Sequence, residues 1–193
     1  MSCYKASAIS RKDIQYFICY LKKKVHLEDE LYFPIIQFLE NILPILIPNF
    51  QLEIVPQTEM GNKHGETYPS RHLIRIREDV YLGAVAGHGR DRLTIAHEIG
   101  HLFMHNDTSI ALCKLAPNEK LRPFEDPEWQ ANAFGGELLA STYLIKGMTA
   151  VEVSEKCGVS MDAAKIQLKV AKNHTKDNKG GGAGMLVINE KHI

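Results

Sequence analysis

The chain has 193 residues, 45% of them hydrophobic, and its 23 basic side chains balance 23 acidic ones. That length supports one core-bearing domain with a small appendage, and the balance of charge excludes a global electrostatic attraction to nucleic acid or an anionic membrane. Four cysteines without paired spacing (Cys3, Cys19, Cys113, Cys157) exclude a disulfide framework and read as reduced thiols.

The opening Met1-Ser2-Cys3-Tyr4-Lys5 carries no apolar signal core, so a cytoplasmic location is expected. Ser10 suits the cap of a helix over 11–24, whose apolar face is Ile14, Phe17, Ile18 and Leu21. A second helix is expected over 28–43, stopped by Pro44. The apolar run from Ile35 to Ile47 is broken by Gln37, Glu40, Asn41 and Pro44, too short and too polar to span a bilayer. Leu52 to Val55 reads as a short strand. Residues 60–70 read as loop, with Gly61, Gly65 and Pro69 as turn residues and His64, Glu66 and Tyr68 available to a cleft. His72 to Arg77 alternates as a half-buried strand does. Such a strand either lies beside an active-site helix and takes substrate backbone as an added strand, or is internal to the sheet. A short helix over 79–85 and a break at Gly87-His88-Gly89 follow.

The next helix, from about Asp91 to His105, contains His97-Glu98-Ile99-Gly100-His101. Two histidines four residues apart share one face of a helix, so their imidazoles converge on one ion. The intervening Glu98 can reach water at that ion as a general base, the arrangement of zinc hydrolases. Chance matches to this pattern number roughly 0.03 in a chain of this composition. The flanking Leu93, Ile95, Ala96, Ile99, Leu102 and Phe103 make the helix largely buried, where unpartnered His and Glu would be costly and a bound cation removes the cost. Arg92, one turn earlier, reads as a surface or helix-start ion-pair residue. His105, one turn later on the same face, is a candidate to support the site without direct catalysis. His64, Tyr68 and His72 are all open as donors to an oxyanion.

Residues 106–122 read as a long packed connection. Asp126 and Pro127 suit the cap and first position of a helix running to about Ile145. A zinc site needs a third protein ligand, and spacing leaves Glu128, Glu125, Asp126 and Glu137 as candidates. The segments 149–157 and 161–172 read as helix-turn-helix, with Ser160 capping the second. No arginine follows Arg122, and Lys165, Lys169 and Lys172 read as a solvated face, so direct DNA binding is not expected. From Asn173 to Gly184 the chain is a Gly-rich linker, followed by the apolar Met185 to Ile188. The organisation expected is a catalytic domain over 1–146, a helix-turn-helix-like appendage over 147–172 and a flexible tail over 173–193.

The pentad, with Glu128-Trp129-Gln130-Ala131-Asn132-Ala133-Phe134-Gly135-Gly136-Glu137-Leu138-Leu139, resembles the ImmA/IrrE family of zinc-dependent endopeptidases. The resemblance implies an α+β, zincin-like fold: a small mixed sheet packed on the active-site helix, with a helical C-terminal appendage. It implies one Zn2+ held by His97, His101 and Glu128, with Glu98 as the catalytic base. It implies a protein substrate, a helix-turn-helix repressor of a mobile element or stress regulon. Gly135 and Gly136 depart from the Ala the family often carries, and Ala140-Ser141 from its Met-Pro; neither touches a ligand position. The alternatives are a zinc-bound module that binds a repressor or toxin partner without cutting it, and a DNA-binding protein with a structural zinc.

Overall fold

A computed structural model describes residues 5–105, 110–111 and 122–177. Most of the expected 106–122 connection and the tail beyond Asp177 lie outside the described residues. The strand β1 (Lys5–Ala6) precedes α1 (Arg11–Lys24), which Ser10 caps in a reciprocal box with Asp13.

The second helix departs from the 28–43 expected. It begins at Ile35 and runs through α2 (Ile35–Gln37), a π-helical turn (Phe38–Ile42) and α3 (Leu43–Leu46). Pro34 is the residue that forbids helix upstream: its ring excludes helical backbone at Phe33 and removes a donor. Pro44 sits inside the helical stretch. The wider π turn, in which the Leu43 N–H reaches back to the Phe38 carbonyl, gives room for a residue without an N–H.

Then come β2 (Gln51–Val55), α4 (Gln57–Met60), β3 (Gly65–Tyr68) and β4 (Leu73–Arg77). The sheet order is β2-β4-β3, with β2 parallel and β3 antiparallel to β4. Register is pinned by Arg75, which stands opposite Glu53 on one side and Glu66 on the other and bonds both, at 2.9 and 3.3 Å. Of the two roles open to the 72–77 strand, the structure selects the internal one. The expected 60–70 loop contains the edge strand β3 instead.

After α5 (Glu78–Val85) the long α6 (Gly89–Met104) carries the pentad. β5 (Ile110–Ala111) pairs antiparallel with β1, and α7 (Pro127–Leu139), α8 (Ala150–Cys157) and α9 (Met161–Asp177) follow. α7 stops six residues short of Ile145. The Glu137 carboxylate accepts the Thr142 N–H and hydroxyl, each at 2.8 Å, and the Ser141 hydroxyl donates back to the Glu137 carbonyl at 2.9 Å. These local bonds compete with continued helix.

α6 and α7 cross closely around Phe17, Phe103 and Phe134, whose ring centroids lie 5.6 to 6.1 Å apart. A Cβ at Gly100 would meet Ala131 and Phe134 at 3.1 Å, and one at Gly135 would meet the backbone nitrogen of His97 at 3.1 Å. The departure at Gly135 is thus explained by close helix approach. Val153, Cys157, Val159, Ala164 and Ala171 of the last helix pair join the same buried cluster as α1, α6 and α7. Among the described residues no helix is long and apolar enough to cross a membrane.

Two buried cations fasten the helices, with different energetics. Arg92, 2% exposed, is no surface residue. It donates to the carbonyls of Phe33 and Gly158 at 2.9 Å and of Cys157 at 3.4 Å, and lies 3.9 Å over the Tyr32 ring. It locks the turn between α8 and α9 onto the body of the protein. Arg92→Met leaves three carbonyls without their cation and is expected to lower unfolding free energy by about 3 kcal/mol, read by urea denaturation.

Lys22 is wholly buried, donates to Ser141 Oγ at 2.8 Å and stands over the Phe33 ring. Burial pulls its pKa down to about 8, with Glu137 pulling back. The unfolded chain keeps this proton up to about pH 10.4, whereas the folded chain releases it earlier. Stability is therefore expected to rise by about 3 kcal/mol as pH climbs through that window, and Lys22→Met should remove this component of the slope.

Candidate metal centre

α6 and α7 bring together the three residues that sequence singled out as ligands. His97 and His101, one turn apart, point their Nε2 atoms at one another across 2.9 Å. Glu128, in the first turn of α7, presents Oε2 at 3.3 Å from His97 Nε2 and Oε1 at 3.5 Å from His101 Nε2. Asp126 fixes that first turn by accepting the Glu128 N–H at 3.0 Å. Of the rival acids, Asp126 is thereby committed to capping. Glu125 pairs with Lys5 at 2.9 Å, and Glu137 is buried at the far end of α7.

The donor set fits a cation. The three ligand atoms lie within 4.8 Å of one another. Donors on a tetrahedral Zn2+ at about 2.1 Å stand about 3.4 Å apart, close to the separations here. Two neutral imidazole nitrogens and a carboxylate are also the ligand chemistry that zinc takes. The electrostatics agree. The neighbouring His101 and His97 hold the Glu128 carboxyl far below the usual carboxylate range. Burial opposes a charge on His97, yet Glu128 and Glu98 outweigh it and raise its pKa.

Each imidazole is gripped from behind. His97 Nδ1 is 3.1 Å from Asn132 Oδ1, one turn beyond Glu128 on α7. His101 Nδ1 is 2.9 Å from His105 Nδ1, and His105 Nε2 is 2.9 Å from Gln130 Oε1. Burial depresses the His105 pKa to about 4, so the ring is neutral at physiological pH.

Glu98 shares the cleft with His97, His101 and Glu128 and is held by the sheet. Thr67 Oγ1 on β3 donates to Glu98 Oε2 at 2.6 Å. Gly65, two residues earlier, lies flat against the same side chain: a Cβ there would stand 2.6 to 2.8 Å from Glu98 Cγ, Oε1 and Cδ. Burial raises the Glu98 pKa, with the Thr67 bond and the two histidines pulling down. The result is a desolvated carboxylate held in one orientation beside the three donors.

The cleft above them has a volume of about 380 Å3 and is lined by Lys63, Gly65, Glu66, Thr67, Tyr68, His97, Glu98, His101 and Glu128. Glu66 at its rim is paired with Lys63 and Arg75. Of the three open oxyanion donors, Tyr68 lines the cleft, with its hydroxyl 3.4 Å from Glu66 Oε2. His72 does not: its ring bonds the Pro48 carbonyl at 2.8 Å, and its backbone takes the left-handed conformation. His64 is absent from the lining as well.

Sequence marks Gly65 only as a turn residue and assigns Thr67, Gln130 and Asn132 no role at the site. Only Asn132 and Gln130 carried a usable signal, since they fall one turn after Glu128 and two residues after it on a helix already assigned.

Residues 54–169 match the protein family Peptidase_M78, described as IrrE N-terminal-like domain. No curated protein and no solved structure gave a match.

Proposed function

The chain belongs to the Peptidase_M78 family, and from that premise we propose that it is a zinc-dependent endopeptidase with a zincin-like active site. The observation that carries the reading is the convergence of His97, His101 and Glu128 on one point, beside a buried carboxylate and open to a cleft. His97, His101 and Glu128 would hold the cation. Zinc in such a donor set supplies Lewis-acid chemistry, acidifying water and polarising a carbonyl.

The remaining work falls to the protein's own groups. Glu98 takes a proton from the attacking water and delivers it to the departing amine, so that one carboxylate serves as base and then as acid. Desolvation supports this role by raising its basicity, and the Thr67 hydroxyl keeps one oxygen occupied while the other is left for water. The strand β3 borders the cleft and, among the described residues, has a neighbour on one side only, so an extended substrate segment can add to the sheet beside Glu98. Tyr68, on the same strand, also lines the cleft.

The substrate we propose is a folded transcriptional repressor of the helix-turn-helix type, cut at one site. The charged Lys63–Glu66 pair lining the cleft supports selectivity over general proteolysis. The test is to incubate zinc-loaded protein with a cell extract, label new amino termini and identify them by mass spectrometry. One or a few termini produced by wild type and absent with Glu98→Gln support the reading. Identical patterns from both proteins overturn it.

A further inference from the structure

His105 is buried, belongs to none of the three metal donors and does not line the cleft. Its partners define what it does, because each hydrogen in the chain of contacts can be assigned. Gln130 is wholly buried, and its amide nitrogen lies 2.8 Å from the Ser7 carbonyl and 2.9 Å from the Phe124 carbonyl. Those two acceptors use both N–H groups, so the atom facing His105 is the amide oxygen. The reverse orientation would set an amide oxygen against two carbonyl oxygens.

An amide oxygen only accepts, so His105 Nε2, at 2.9 Å, carries a hydrogen and donates it. Among the described residues the polar contacts of the buried His105 ring are Gln130 Oε1 and His101 Nδ1, with no carboxylate to balance a cation, so the ring carries one N–H and keeps a lone pair on Nδ1. That lone pair stands 2.9 Å from His101 Nδ1, which must therefore be the donor. His101 Nε2 is then bare, and it is the atom turned toward His97 and Glu128.

We propose that His105 is a positioning residue for the metal, which together with Gln130 holds His101 in the Nδ1–H tautomer with its Nε2 lone pair presented to the cation. This rests on the metallopeptidase reading above. A ligand imidazole is ordinarily oriented by a carboxylate, carbonyl or water behind it. Here a second imidazole does the work, so that the support adds no negative charge to a buried pocket. The relay ends on the carbonyls of Ser7 and Phe124, so the same amide ties the segment before α1 and the turn before α7 to the ligand.

Two measurements test the assignment. The first is a long-range 15N–1H correlation spectrum of the metal-free protein at neutral pH, which reads imidazole tautomers directly. The expected result is Nδ1–H for His101 and Nε2–H for His105; an Nε2–H His101 overturns the proposal. The second is zinc affinity by competition with a chromophoric chelator. His105→Phe is expected to weaken binding about 10- to 100-fold. His105→Asn, whose Oδ1 can occupy the site of Nδ1 and accept from His101, is expected to recover most of that loss. A His105→Phe protein that folds and binds zinc as tightly as wild type overturns the proposal. Wild-type protein that binds no zinc at all contradicts the metallopeptidase reading, and the tautomers of the metal-free protein still decide the role of His105.

Discussion

Glu98→Gln is expected to slow peptide hydrolysis by about 10³-fold while leaving zinc binding close to that of wild type. The two side chains have the same shape, and the amide oxygen of Gln can still accept from Thr67 Oγ1, now 2.6 Å from Glu98 Oε2. What disappears is basicity: an amide cannot take a proton from water or return one to the leaving amine. The carboxylate is not among the three converging donors, so metal retention should change little. Comparison of single-turnover cleavage of the identified substrate with zinc stoichiometry separates the two effects. Undiminished cleavage by the variant would remove Glu98 from the mechanism. A parallel loss of zinc would mean that it acts as a ligand.

Gly65→Ala is expected to cost about 10²-fold in kcat, although Gly65 is no ligand and no proton carrier. The new methyl group would lie within 2.8 Å of three atoms of the Glu98 side chain. Glu98 is only 7% exposed and cannot swing away freely, so either its carboxylate or the edge of β3 must move. A shift of about 1 Å in a catalytic group is enough for a loss of this size. Gly65 has no positive φ, so the effect comes from contact rather than from backbone strain. Zinc content should be unchanged and KM altered less than kcat. A variant with normal kcat would show that Glu98 tolerates displacement and that the cradle is unimportant.

How much of this could be read beforehand depended on how local each signal was. The two histidines and Glu98 lie within one helical turn and a third, so a fixed period decides their geometry. Asp126-Pro127 marks a helix start and puts Glu128 in its first turn, but spacing left three other acids in play, and it is the family resemblance that implies Glu128 as the ligand. The partners of Glu98 were hidden. Gly-Glu-Thr-Tyr at 65–68 has no apolar alternation and is flanked by turn residues, so nothing local separates strand from loop; its pairing with β4 decides the matter. Similarly, the support for His101 requires α7 to cross α6 at one particular angle, which Gly100 and Gly135 permit. Prolines misled in both directions. Pro34 was the true barrier to helix, whereas Pro44 was absorbed by a π turn that no propensity anticipates. Arg92 was misread for a general reason: a buried guanidinium satisfied by three carbonyls is indistinguishable in sequence from an exposed one.

Native mass spectrometry of the purified protein, wild type beside Glu128→Ala, reads directly whether α6 and α7 together form a metal centre. One zinc per wild-type chain is expected, and little or none in a variant that remains folded, because two imidazoles alone make a weak site. Wild-type protein that takes up no zinc even when supplied with it, or a variant that holds zinc as firmly as wild type, would contradict the assignment.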